Sequence, residues 1–164
     1  MALLIGSLLV LLMATPVLAS HVTTPTIGVT QESSGTLVRG KNGGVTVSGY
    51  VTCEWDTGVY VWGHVSQPKG RGSQYGFFGT WVNCSAADAA NGGTYWSALA
   101  TTSKGGFGRG AASMSTGAYI SVSEPTSEPC DTNDWEHCWY DDWDGTYYHQ
   151  DTSEAYTGGT ITIN

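Results

Sequence analysis

The chain has 164 residues, among them 23 glycines, nine tyrosines, seven tryptophans and four cysteines, with a formal net charge of −8, a size that fits one domain. The charge is lopsided: all six basic residues lie before residue 110, and ten of the fourteen acids fall between Glu124 and Glu154. Such a balance gives no electrostatic basis for binding nucleic acid or an anionic lipid surface, and both are excluded as partners.

The first segment reads as a targeting sequence. Ala2 to Leu12 are apolar apart from Gly6 and Ser7, Thr15-Pro16 breaks the run, and Val17-Leu18-Ala19 supplies small residues where a signal peptidase cuts. No lysine or arginine precedes the run, so the amino terminus alone supplies its charge. A bilayer anchor needs about 20 apolar residues, and this run is shorter. Residues 1–19 are therefore expected to be a signal peptide, leaving residues 20–164 as one secreted, extracellular domain without membrane insertion. Export places Cys53, Cys84, Cys130 and Cys138 in an oxidising compartment, where an even count reads as two disulfides. The Cys130-x₇-Cys138 spacing, even with His137 beside it, is not a zinc signature.

After the leader, strands alternate with glycine-rich turns, and no stretch keeps helical apolar spacing. A first strand is expected over Gly28 to Val38. The clearest follows: in Val45 to Trp55, Val45, Val47, Val51, Cys53 and Trp55 share one face, while Thr46, Ser48, Tyr50, Thr52 and Glu54 share the other. Asp56-Thr57-Gly58 turns the chain into Val59 to Gln67, where Val59, Val61 and Val65 alternate with Tyr60, Trp62 and His64. Pro68 to Gly72 is the next turn and Ser73 to Cys84 the next strand. Further strands are expected at Thr94 to Thr101, Ala111 to Val122 and Thr160 to Ile163, with Gly105 to Gly110 as a hairpin loop. Turn signals at this spacing indicate an all-β antiparallel sandwich of about seven strands, with an up-and-down barrel as the competing architecture. Residues 124–156 stand apart. They carry ten acids together with Trp135, Trp139, Tyr140, Trp143, Tyr147 and Tyr148, and show no aliphatic alternation. We read them as a long acidic, aromatic loop, tied by a Cys130–Cys138 bridge, before the last strand.

The chain resembles a family of secreted, immunoglobulin-like domains of unknown function common in actinobacteria. The resemblance rests on Gly44-Val-Thr-Val-Ser-Gly49 leading to Cys53, on Val59-Tyr-Val61 followed by Val65-Ser-Gln67, on Arg71, Tyr75-Gly76, Cys84 and Trp96, and on the closing Thr160-Ile-Thr-Ile163. It covers roughly residues 26 to 122 and the final strand. It implies an Ig-like sandwich in which Cys53 pairs with Cys84 and Trp96 lies near the core. It implies no activity and no ligand, and the 124–156 insert departs from its pattern.

Three constellations bear on chemistry. For catalysis, histidines, serines and carboxylates abound, but no Gly-x-Ser-x-Gly or His-Glu-x-x-His signature fixes their geometry. For a metal, calcium is the one candidate ion. Asp142, Asp144 and Asp151 occupy positions 3, 5 and 12 of an EF-hand-like spacing around Gly145, with Asp141 adjacent, but Tyr140 stands where the first carboxylate belongs. Asp131, Asp134 and Glu136 are a second source of oxygens, and the competing reading is that these acids solvate an aromatic loop. The third constellation is aromatic. With the valines of one strand and Phe78, Val82 and Cys84 of the next facing inward, Tyr60, Trp62, His64, Tyr75, Phe77 and Trp81 form a row of rings on the outer face. Such a patch calls for a partner, unless the insert folds over it. The expected function is a secreted, non-catalytic binding or surface-interaction module for a glycan or a cell-surface protein, with Tyr60, Trp62, His64, Phe77 and Trp81 at its ligand site and no cofactor unless calcium. The alternatives are a structural extracellular domain with a calcium-binding acidic loop, and an enzyme acting on polysaccharide.

Overall fold

The computed structural model describes residues 25–39, 43–102, 105–126, 129–130 and 138–164. The expected signal peptide, residues 1–19, lies outside these, as do Trp135, Asp131, Asp134 and Glu136. The described chain is all β apart from one short 3₁₀ helix, Ala86–Asn91. Its strands are β1 (Ile27–Gln31), β2 (Ser34–Val38), β3 (Gly44–Cys53), β4 (Thr57–Lys69), β5 (Gly72–Cys84), β6 (Thr94–Thr101), β7 (Gly110–Thr126), β8 (Cys138–Asp141) and β9 (Thr146–Ile163). Among the described residues no helix is long and apolar enough to cross a membrane.

Strands form where the sequence alternates. On β3, Val45, Val47, Val51 and Cys53 are buried and Tyr50 is exposed; on β6, Trp96, Ala98 and Ala100 are buried while Tyr95 and Leu99 are exposed. Two positions depart from the expected alternation. Ser48, assigned to the polar face, is buried because the chain bends at Glu32-Ser33 and folds Glu32 over it. The Glu32 amide donates to the Ser48 carbonyl at 2.8 Å, and the Glu32 carboxylate accepts the Ser48 hydroxyl. Trp55, assigned to the valine face, falls past the end of β3 in a bend and is only half-buried.

One mixed sheet contains all nine strands, in the order β1-β3-β2-β9-β7-β4-β5-β6, with β8 on β9 and a further pairing between β3 and β6. β3 carries β6 along one edge; along its other edge it carries β1, opposite Gly49 to Cys53, and then β2, opposite Gly44 to Thr46. The bend at Glu32-Ser33 lets β2 reach β9 in parallel, Ser34 opposite Thr162 and Gly35 opposite Ile163. β6 also meets β5 where Thr101 opposes Phe77. The pairing network therefore returns on itself. Its order is not that of an up-and-down barrel, in which strands adjacent in sequence are adjacent in the sheet.

The core lies inside this ring of pairings. Val59, Val61 and Val65 of β4, Phe78 of β5, Trp96 of β6, Met114, Ala118 and Ile120 of β7, and Ile161 and Ile163 of β9 are all buried in one cluster. Phe78 and Trp96 stack at 5.8 Å between centroids, with 13° between their planes. Each ring occupies the space over a glycine. A Cβ at Gly63 would stand 2.6 Å from Phe78 Cζ, and one at Gly49 2.8 Å from Trp96 Cζ2. The Gly105 to Gly110 loop is anchored the same way, since Phe107 is buried against Gly76, and Gln67 brackets Gly108 with two hydrogen bonds of 2.9 and 2.8 Å.

The described residues of the 124–156 segment are mostly strand, where composition suggests a long loop. β7 runs on to Thr126 and β9 begins at Thr146, and the two pair without interruption from Gly110 opposite Ile163 to Thr126 opposite Tyr147. β8 extends the ladder, with Trp139 opposite Tyr148. Threonine and tyrosine favour strands, and across from β7 the segment Tyr147 to Tyr156 finds a partner for every residue. Its acids do not prevent this, because both faces of the outer ladder remain wet.

Both expected bridges are present. Cys53–Cys84 ties the end of β3 to the end of β5 with its Cα atoms 6.2 Å apart, and Cys130–Cys138 ties the approach to β8 with its Cα atoms 5.5 Å apart. With a sequence separation of 31, the first bridge restricts the unfolded chain by about 3.5 to 4 kcal/mol; the second, with a separation of 8, does so by about 2.5 kcal/mol. Replacing Cys53 and Cys84 together by alanine is expected to lower stability in denaturant melts by about 3.5 kcal/mol. A loss below about 1 kcal/mol would mean that the bridge closes no loop that matters to the unfolded state.

Candidate functional site

The buried valines of β4 set the direction of everything between them. Val59, Val61 and Val65 are fully buried, so Tyr60, Trp62 and His64 face outward. The ladders carry this phase into the neighbouring strands. Tyr60 stands between Tyr119 of β7 and Trp81 of β5, Trp62 between Gly117 and Gly79, and His64 between Ser115 and Phe77. One strand further, Glu154, Tyr156 and Gly158 of β9 oppose Tyr119, Gly117 and Ser115. These three rows span β9, β7, β4 and β5, a platform about 14 Å across at roughly 4.8 Å per strand.

The rings meet in pairs. Tyr60 and Trp81 approach to 5.2 Å at 45°, Trp62 and Tyr156 to 5.9 Å at 84°, and His64 and Phe77 to 6.1 Å at 47°. Glycines make the close approach possible. The indole of Trp62 and the ring of Tyr156 both lie over Gly117, where a Cβ would sit 2.8 Å from Trp62 Cζ2 and 3.1 Å from Tyr156 Cε1; Tyr60 lies over Gly79 in the same way. The face is open: Trp81 is 70% exposed, Phe77 68% and Trp62 40%. Among the described residues, the acidic segment extends the sheet beside this face instead of folding over it. β4 pairs with β7 only as far as Tyr119, while the β7–β9 ladder continues past that point to Thr126.

All five residues expected at a ligand site, Tyr60, Trp62, His64, Phe77 and Trp81, thus come together on one side of the sheet. Tyr156, Tyr119 and the two glycines beneath the rings were not legible as part of it. The signal for Tyr156 was the alternation around it, since Ala155 packs against the core and throws Glu154 and Tyr156 outward. The Tyr156 hydroxyl donates to the Glu154 carboxylate, and this bond raises the phenol above its ordinary range.

Comparison with protein-family models, with curated proteins and with solved structures finds no match.

The four carboxylates expected around a calcium ion are differently placed. Asp141, Asp142 and Asp144 share the turn between β8 and β9, whereas Asp151 stands opposite Val122, five residues into β9 from Thr146 and about 16 Å along the strand. Within the turn, Asp141 Oδ1 accepts the Trp143 amide, and Asp144 Oδ1 accepts the Thr146 amide, each at 2.9 Å. Gly145, at φ 73°, donates its amide to the Asp141 carbonyl. These are the local bonds by which aspartate stabilises a turn. Among the described residues no group of three or more His, Cys, Asp or Glu side chains is arranged to hold a metal ion. Ring pairs brace the hairpin, Trp139 stacked on Tyr148 at 5.4 Å and Tyr140 against Tyr147 at 4.8 Å, and Trp143 at its tip is 97% exposed.

The Tyr148 hydroxyl donates to Asp144 Oδ2 at 2.9 Å; this bond lowers the Asp144 carboxyl below its usual value and raises the Tyr148 phenol. The sign follows from linkage. The carboxylate's contribution to the turn is complete above the unfolded value of about 3.9 and is lost as pH falls through the lower folded value. Tyr148 contributes below about 10 and loses its contribution as pH rises through its raised value. NMR titration is expected to show Asp144 ionising below the ordinary carboxylate range, and Asp144→Asn to return Tyr148 to the ordinary phenol range. Unshifted titration of both groups would contradict the hydrogen bond.

Proposed function

We propose that this protein is a secreted, non-catalytic binding module built on an Ig-like antiparallel sandwich and belonging to the secreted domain family that its sequence resembles. The sandwich reading is supported by the pairing order, in which β1, β3 and β6 lie together and β9, β7, β4 and β5 lie together, the two groups joined by β2 and by the single β5–β6 pair, and both contributing to one core cluster. The bend between β1 and β2, which brings β2 onto β9 while it still pairs with β3, and the Cys53–Cys84 bridge between the groups fit the same reading. Two disulfides and the apolar leader with its small-residue cleavage site support export.

The single observation that carries the function is the open ring face. Paired rings exposed across four strands form an apolar surface that no described residue covers, and such a patch on a small domain marks a place of contact. The same face favours binding over glycoside hydrolysis. Its ring-bearing rows carry one carboxylate, Glu154, whereas hydrolysis uses two at a set separation.

Trp81→Ala is expected to leave stability within about 0.5 kcal/mol of the parent, since the ring is mostly in water, and to abolish retention on a glycan array. Trp62→Ala is expected to abolish retention as well and to cost about 1 kcal/mol of stability, because it removes an aromatic pair. Lost stability in both variants with undiminished retention would make the rings an internal mini-core and remove the binding reading.

A further inference from the structure

South of the Trp62–Tyr156 pair, toward Thr160 and Ser66, the outer face changes character. The next row is Gly158, Ser115, His64 and Phe77, and the one after it is Thr160, Ser113, Ser66 and Tyr75. Across β9, β7 and β4 these six positions carry four hydroxyl side chains, one glycine and the imidazole of His64. Rings stand on two sides of them: Trp62 and Tyr156 along the first row, and Phe77 and Tyr75 along β5, the last two 68% and 52% exposed. The result is a low shelf of hydroxyls about 10 Å wide from β9 to β4, with an aromatic wall on two sides.

None of the Ser66, Ser113, Ser115 and Thr160 hydroxyls has a hydrogen-bond partner among the described residues, and neither does the imidazole of His64. Five groups able to donate and accept thus stand in one outward-facing area without internal use. The two shelf rows carry no lysine, arginine, aspartate or glutamate, and the one charge at the wall is the Glu154 carboxylate that accepts the Tyr156 hydroxyl, which disfavours an anionic ligand.

We propose that the ligand of the ring face is a neutral oligosaccharide, seated as a single chain on this hydroxyl shelf and held against its aromatic walls. The inference rests on the reading of the ring face as the binding surface and names what that surface takes. A sugar presents hydroxyl edges and apolar C–H faces together, and the shelf offers hydrogen-bonding groups below and ring faces beside. A protein partner fits the pattern poorly, because protein interfaces place their apolar residues at the centre and polar ones at the rim, whereas here the polar positions are central and the rings peripheral. The absence of charge on the shelf selects an uncharged chain. Ring pairs inclined at 45°, 84° and 47° do not form one plane, so the site suits a separate chain and not the flat face of a crystalline polysaccharide.

The test is calorimetric titration of the full secreted chain with soluble neutral hexasaccharides of glucose, xylose, mannose and N-acetylglucosamine, and with oligogalacturonate as a charged control. Variants are Trp62→Ala and the double replacement Ser113→Val with Ser115→Val; valine suits exposed strand positions, so the fold is kept. Amide NMR shifts report where the sugar lies. We expect at least one neutral sugar to bind, with shifts centred on Ser113, Ser115, Gly158 and Thr160, and a loss of at least tenfold in affinity in both variants. Binding that is lost in Trp62→Ala but unchanged in the serine double variant would overturn the shelf and leave the ring face standing. No binding by any neutral sugar, or tighter binding of oligogalacturonate, would overturn the neutral-glycan inference. Retention of neutral-sugar binding in Trp62→Ala would overturn the underlying reading as well.

Discussion

The burial of three valines on β4 is the constraint from which the rest follows. Val59, Val61 and Val65 are closed off from solvent, and each such side chain contributes about 1.5 to 3 kcal/mol through burial. A slip of one residue would bring all three to the surface and drive Tyr60, Trp62 and His64 into the core. Several kilocalories per mole therefore hold the register of this strand, and the register holds the rings outward. The ladders on either side copy the same phase into β5, β7 and β9. A ring face positioned in this way needs no loops to shape it.

A second regularity ties the two sides of the sheet together, since large rings repeatedly lie over glycine. Inside, Phe78 covers Gly63 and Trp96 covers Gly49; outside, Trp62 and Tyr156 cover Gly117 and Tyr60 covers Gly79. In each case a missing side chain lets an aromatic plane settle on the backbone, which gives a strand-rich protein wide contacts without long aliphatic residues. The abundance of glycine in the sequence is thus partly a packing feature, in addition to its usual place in turns such as Asp144-Gly145.

Much of this was legible in the sequence. Alternation alone placed β3 to β7 close to their observed bounds and put Tyr60, Trp62, His64, Phe77 and Trp81 on one side, because a half-buried antiparallel strand leaves that mark whatever its partners are. What alternation could not show is which strand lies beside which. Tyr156 joins Trp62 only because β9 pairs with β7 at Gly117, a contact with no local trace. The segment from Thr146 to Tyr156 was hidden for a related reason: its strand is stabilised by pairing along β7 and not by an aliphatic face. The spacing of Asp142, Asp144 and Asp151 suggested a cation site, but spacing could not show that Asp151 lies well along β9 while Asp144 and the adjacent Asp141 hold the amides of Thr146 and Trp143. An Asp-Gly pair between two aromatic runs was itself a hairpin signal.

The account depends on one physical claim, that Trp62 of β4 and Phe77 and Trp81 of β5 face water while Trp96 alone of the described tryptophans is sealed inside. Hydroxyl-radical footprinting with residue-level mass spectrometry measures this directly on the native protein. Trp143 and Trp81 should oxidise fastest and Trp62 at an intermediate rate, with Trp96 protected until the chain unfolds. Protection of Trp81 and Trp62 in the free protein, or ready oxidation of Trp96, would contradict the register of β4 and with it the open face.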